Sequence, residues 1–149
     1  MPRKSKDETG ERPAELDEYI GSLYSRLKEG LVVPFVGLPV ASWQHHPSQA
    51  HQNVDAVCRS VDGHTPIRGY LIHNWAFFGL YSFFPHSVVE LPSGQWVDPT
   101  PRQPNAVDNR NAFIPADLDE GTFFEYEKYS EEKYAGFANG LIYHLPKRE

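Results

Sequence analysis

The sequence predicts an α+β fold in one domain, and three observations lead there. Apolar residues recur every three to four positions over Leu16–Leu27 and again over Val54–Val61, the spacing of a buried helix face. From Thr65 onward the pattern changes to β-branched and aromatic runs bounded by turn residues. Two of these short runs flank Pro92-Ser93-Gly94 and read as a hairpin, so the strands are expected to be antiparallel.

Taken in order, residues 1–13 are charged and polar after Met1 and read as a disordered, solvated tail, leaving 14–149 as the domain. Pro13 suits a helix's first turn, and AELDEYIGSLYSRLKEG carries one apolar stripe that Gly30 ends. Leu31–Val40 is apolar but broken by Pro34, Gly37 and Pro39, so it reads as an edge strand or an extended crossing segment. A loop, SWQHHPSQ, leads into a second helix, AHQNVDAVCRSV, which Asp62-Gly63 stops. Thr65–Trp75 reads as a strand, the aromatic run WAFFGLYSFF follows, and HSVVELPSGQWVDPTP forms the hairpin. Residues 101–112 read as a polar loop. The remainder suggests one helix over Ser130–Ala138 and a last strand over Leu141–Leu145.

Composition bounds the function. The chain has 149 residues, 14 Lys+Arg and 20 Asp+Glu, a net charge of −6 with no concentrated basic face, so no nucleic-acid partner is expected. Hydrophobic residues make up 40% and aromatics 13%, enough to build a core. The longest apolar stretch, Trp75–Phe84, is too short to span a bilayer, so no membrane partner is expected. A single cysteine, Cys58, leaves no internal disulfide and no multi-cysteine zinc site; it reads as a core residue. With no charged-then-apolar leader the expected location is cytoplasmic, and no cofactor is implied.

Of seven histidines, His45, His46, His64, His73 and His144 fall in loops, turns or strands and are expected at the surface. His86 differs. Pro92 and Ser93 suit the middle of a type I turn, and Gly94 suits the left-handed residue closing a three-residue loop. That loop pairs Leu91 with Gln95 and hence Val88 with Asp98, so His86, Val88 and Asp98 share a face. A one-residue slip would put His86 and Asp98 on opposite faces. A histidine held by an aspartate is half of a nucleophilic site, the other half being an attacking group at a helix N-terminus.

The runs Ala50-His51-Gln52-Asn53-Val54, Arg68-Gly69-Tyr70-Leu71-Ile72-His73, His86-Ser87-Val88-Val89 and Gly94–Pro101 resemble a family of small proteins. Its pattern is Cys-x-x-Asn-Val at a helix start, a Gly-Trp/Tyr strand, His-x-Val, and Asp-x-Thr/Ser-Pro. That order is similar to the core of transglutaminase-like and papain-like cysteine hydrolases. The resemblance covers about residues 50–101. It implies an antiparallel sheet packed against a helix bearing the nucleophile position, with His86 as general base and Asp98 as its orienting partner. Asn53 would sit one turn past the nucleophile. Here Ala50 stands at the cysteine position, so covalent catalysis is absent as written. A replaced cysteine and a natural relative that lost it both fit.

Gln44 or Gln49 could donate to an oxyanion, Gln44 by its papain-like spacing of six before position 50. Trp43 and Trp75 could line a cleft. Three readings compete. The first is a cysteine peptidase, amidase or acyl-transferase scaffold acting on a peptide or protein substrate; the second is a pseudoenzyme or protein-binding module. The third is a metal site from His45, His46, His51 and His86, which lacks a recurring ligand spacing.

Overall fold

The computed structural model describes residues 12–101, 111–134 and 137–147. The expected tail lies outside these residues except for Arg12 and Pro13, as does the expected polar loop over 102–110. The described residues form an α+β fold with three α-helices: α1 (Ala14–Ser25), α2 (Ala50–Ser60) and α3 (Glu120–Glu127). The strands are β1 (Thr65–Trp75), β2 (Leu80–Glu90), β3 (Trp96–Val97), β4 (Phe113–Pro115), β5 (Glu131–Tyr134) and β6 (Phe137–His144). They make one antiparallel sheet in the order β4-β1-β2-β6-β5, with β3 pairing to β2 off that path. Among the described residues no helix is long and apolar enough to cross a membrane.

The chain divides into two compact units, and β1 and β2 each give one part to either. The first comprises residues 1–29, 72–85 and 118–149. Here α1 buries Leu16, Ile20 and Leu23, the stripe read from the sequence, and packs against β6. Arg12 donates to the Ile142 carbonyl at 2.8 Å and pairs with Asp17 at 2.7 Å, tying the helix start down. Tyr24 stacks on Tyr143, and β2 pairs with β6 from Leu80↔His144 to Phe83↔Leu141. Trp75 packs, partly buried, against Leu80 and Ile142 in this unit.

The expected helix over Ser130–Ala138 is not formed: Glu131–Tyr134 and Phe137–His144 are paired strands, with Glu132 opposite Asn139. Its Glu- and Lys-rich composition favours a helix locally but supplies no apolar stripe. Pairing beside β2 buries Leu141 and Ile142 completely, and that tertiary gain overrides propensity. The helix in this region is α3, ten residues earlier in its start, capped by Asp119 accepting from Thr122 N–H at 2.8 Å.

The second unit comprises residues 30–71 and 86–117. Its hairpin has the register that the turn residues predict. Leu91 N–H donates to Gln95, Glu90 faces Trp96, Val89 faces Val97, and Gly94 takes φ +90°. On the far side β1 pairs with β4 through Gly69↔Pro115, Tyr70↔Ile114 and Leu71↔Phe113. Residues 31–36 then join the two ends: Leu31 bridges Phe113 on β4, and Phe35 bridges Asp98 just past β3. The extended crossing segment thereby closes β4-β1-β2-β3 into a small ring.

The two faces of this ring carry different contents. On the outer face Val54 and Val57 of α2 pack against Val89 and Val97, with Cys58, Leu38, Val40 and Leu91 around them. On the inner face the rings of Phe113 and Trp96 meet at 5.9 Å although their strands lie at opposite ends of the array. Gly69 is required here because a Cβ would strike the Ile114 carbonyl oxygen and the Phe113 ring.

Candidate functional site

His86 and Asp98 meet on the inner face of the ring. Asp98 follows Val97, so by strand alternation it points with Trp96 toward the inside, and His86 points the same way two residues before Val88. His86 Nε2 lies 2.7 Å from Asp98 Oδ2, with side-chain exposures of 8% and 18%. The other carboxylate oxygen accepts from Thr100 N–H at 2.9 Å. A carboxylate cannot donate, so Nε2 carries the proton and Nδ1 is left as the basic nitrogen. Phe113 sets its ring edge-on to the imidazole at 6.2 Å and fixes its plane. The backbone of Asp98 is held as well: its N–H donates to Pro34 O and its carbonyl accepts from Val36 N–H.

The first turn of α2 is fastened to both strands that carry the pair. His51 Nδ1 lies 2.5 Å from Ser87 Oγ, next to His86 in the chain. Ser87 Oγ also accepts from Arg68 Nη1 at 2.9 Å, so we assign its own proton to His51 Nδ1. Arg68 in turn binds Asp55 of α2 at 2.6 Å. Further along, Asn53 Nδ2 donates to Thr100 Oγ1 at 3.1 Å, two residues past Asp98. Position 50 opens the helix between these two anchors, and Ala50 occupies it with a half-buried methyl group.

Asn53 is fully buried and all four of its amide bonds are used within the protein. Oδ1 accepts from Trp43 Nε1 at 2.9 Å and His46 N–H at 3.0 Å, while Nδ2 donates to His46 O and Thr100. It therefore clamps the 43–46 loop and the Thr100 turn to α2. Trp43 is the partner of that clamp. Gln44 is exposed in the same loop and lines a depression of about 520 Å³ along Pro39–His45. Gln49 is the N-cap position of α2, and its side chain makes no capping bond.

The remaining histidines separate. His45 gives its Nε2 to the Leu38 carbonyl at 2.6 Å, and among the described residues its buried Nδ1 has no hydrogen-bond partner. His46 Nδ1 faces the exposed Ser48 hydroxyl at 2.9 Å. Among the described residues no three His, Cys, Asp or Glu side chains are grouped to hold a metal. Cys58 packs on the outer-face core, and burial pushes its thiol above the usual range, helped by the Asp55 carboxylate and opposed by Arg68. His73, expected at the surface, is half-buried in the first unit and stacked on Phe84 at 6.1 Å.

Thr100 falls in the Asp-x-Thr/Ser-Pro run, whereas Ser87, Arg68 and Phe113, which also hold the site together, were given no role; for Ser87 the available signal was a hydroxyl beside the candidate base.

Fold and site together define an α+β protein with an anchored His–Asp pair inside a small closed strand ring. Compared with the known protein families, curated proteins and solved structures, the chain matches none.

Proposed function

We propose that this chain is a cysteine-hydrolase or acyl-transferase scaffold of the transglutaminase-like or papain-like kind, silent because position 50 is alanine. The observation that carries the reading is the His86–Asp98 contact of 2.7 Å, with α2 fastened beside both partners. In such a scaffold a thiolate at position 50 attacks the carbonyl carbon of a peptide or side-chain amide. His86 Nδ1 first takes the thiol proton and later gives it to the departing amine, leaving a thioester that water or a second amine resolves. Asp98 keeps the imidazole in the required tautomer and steadies the imidazolium. Asn53 acts by holding the helix start, since its own amide has no bond left for substrate.

Ala50 itself favours a second reading, a pseudoenzyme that binds an amide-containing partner and keeps the pair as structure. One experiment decides between them. Ala50→Cys is made in a Cys58→Ser background, and alkylation by iodoacetamide is followed by intact mass against pH, with and without His86→Ala. The scaffold reading expects fast labelling with an apparent thiol pKa well below about 8.5, lost without His86. Because α2 covers the outer face and the pair lies on the inner one, the experiment reads whether a residue-50 thiol reaches His86 Nδ1. Slow labelling at an ordinary thiol pKa, indifferent to His86, leaves the binding module.

A further inference from the structure

In the first unit a row of aromatic rings runs along β1 and β2 and ends at the turn between them. Phe84 stacks on His73 at 6.1 Å, and His73 meets Trp75 edge-on at 6.4 Å. Trp75 then meets Phe78 at 6.4 Å, and Phe78 meets Phe77 at 5.4 Å. Exposure rises toward the turn, from 39% at Phe84 to 49% at Phe78 and 95% at Phe77. Single exposed apolar residues are ordinary, but a contiguous row that ends in a fully presented ring marks a contact surface.

The turn holds these rings out by its own bonds. Asn74 Oδ1 accepts from Ala76 N–H at 2.9 Å, Gly79 N–H donates to Ala76 O at 2.9 Å, and Gly79 takes φ +82°. The Gly79 carbonyl accepts from Leu145 N–H at 2.8 Å, which ties the turn to the residue after β6.

Shape and charge say what covers the tip. A hairpin turn is convex, so it fits a partner that yields to it. Residues 69–89 and 137–147 contain no Asp or Glu, in a chain whose net charge is −6. Lys147 is exposed two residues past Leu145, at most about 7 Å of chain from the turn. Phenyl rings in front, an indole behind them and a cation at the base without a carboxylate match the layered chemistry of a lipid interface. The run Trp75–Phe84 is too short to span a bilayer, which is why the sequence implied no membrane partner, but a tip has only to reach the headgroup layer.

We infer that the β1–β2 turn is a lipid-surface contact, in which Phe77 and Phe78 insert among the headgroups of an anionic bilayer and Lys147 pairs with a lipid phosphate. The contact lies within the first unit and is independent of the chemistry proposed for position 50.

The test is co-sedimentation of the full chain with vesicles of phosphatidylcholine containing about 30% phosphatidylserine. Half-saturation is expected below about 1 mM lipid. Phe77→Asp should weaken binding at least about tenfold, whereas Phe77→Trp should keep it, because an indole suits the interface. Phe77 is 95% exposed, so both variants should keep the native Tm, which separates a lost contact from a lost fold. Lys147→Gln should weaken binding about fivefold on these vesicles and leave the smaller binding to pure phosphatidylcholine unchanged. No co-sedimentation up to about 5 mM lipid overturns the inference. Binding that Phe77→Asp leaves intact also overturns it, in favour of surface charge alone. Self-association abolished by Phe77→Asp, without lipid binding, overturns it in favour of a second copy whose Pro39–His45 depression takes the ring.

Discussion

Asn53 shows how much of the site rests on a side chain that does no chemistry. A buried amide has two donors and two acceptor positions, and here all four are matched, across a helix, a loop and a turn. Asn53→Ala strands Trp43 Nε1, a backbone N–H and a backbone carbonyl together. It should cost about 3 kcal/mol, read as a lowered urea midpoint at unchanged slope. Asn53→Asp keeps both acceptor bonds but loses both donors and buries a carboxylate against the His46 carbonyl, so it should cost no less at neutral pH. The sequence reading put Asn53 near the nucleophile position, which the geometry bears on, but motif spacing alone does not tell a substrate contact from a clamp. That distinction needs the partners, and three of the four come from the 43–46 loop, whose path no periodicity encodes.

At the level of elements, hairpin β2–β3 was legible because its turn is local chemistry. Pro92, Ser93 and Gly94 fix the loop, the loop fixes the register, and the register puts His86 and Asp98 on one face. Strand β6 was legible only in its second half, expected over Leu141–Leu145, while its first half and β5 were not, since β6 pairs with β2 more than fifty residues away and β5 pairs with β6. The closing bridge of residues 31–36 was read only as extended, for the same reason. Strand β1 makes a sharp prediction. Gly69→Ala adds a methyl that must push back the Ile114 carbonyl and the Phe113 ring, for a cost of about 1–3 kcal/mol. Phe113 packs edge-on to His86, so the His86 ring-proton NMR signals should move with it. An unchanged His86 spectrum with lost stability would show that Phe113 does not orient the imidazole.

For the molecule as a whole, stability carries a histidine-dependent slope with pH. Burial holds the His73 imidazole below its ordinary value near 6.5, because the charged form loses water there. The unfolded chain therefore binds a proton that the folded one resists. The stability associated with neutral His73 is full above about pH 6.5 and drains away as pH falls toward the lowered folded value. Urea midpoints at pH 7.5 and 5.5 should differ more for the native chain than for His73→Phe. Equal pH slopes in the two proteins would exclude His73 as the source.

The ring around His86 and Asp98 is sewn shut by Leu31 and Phe113, residues far apart in the chain, and that has a bearing on how the protein is made. A growing polypeptide emits Leu31–Val36 early and Phe113 late. Until Phe113 has left the ribosome, this uncharged segment lacks its bridge to β4, and the loop between them has yet to lose its closure entropy. The newborn chain thus spends most of its synthesis with an apolar strand seeking a partner, the period when a chaperone has the most to hold.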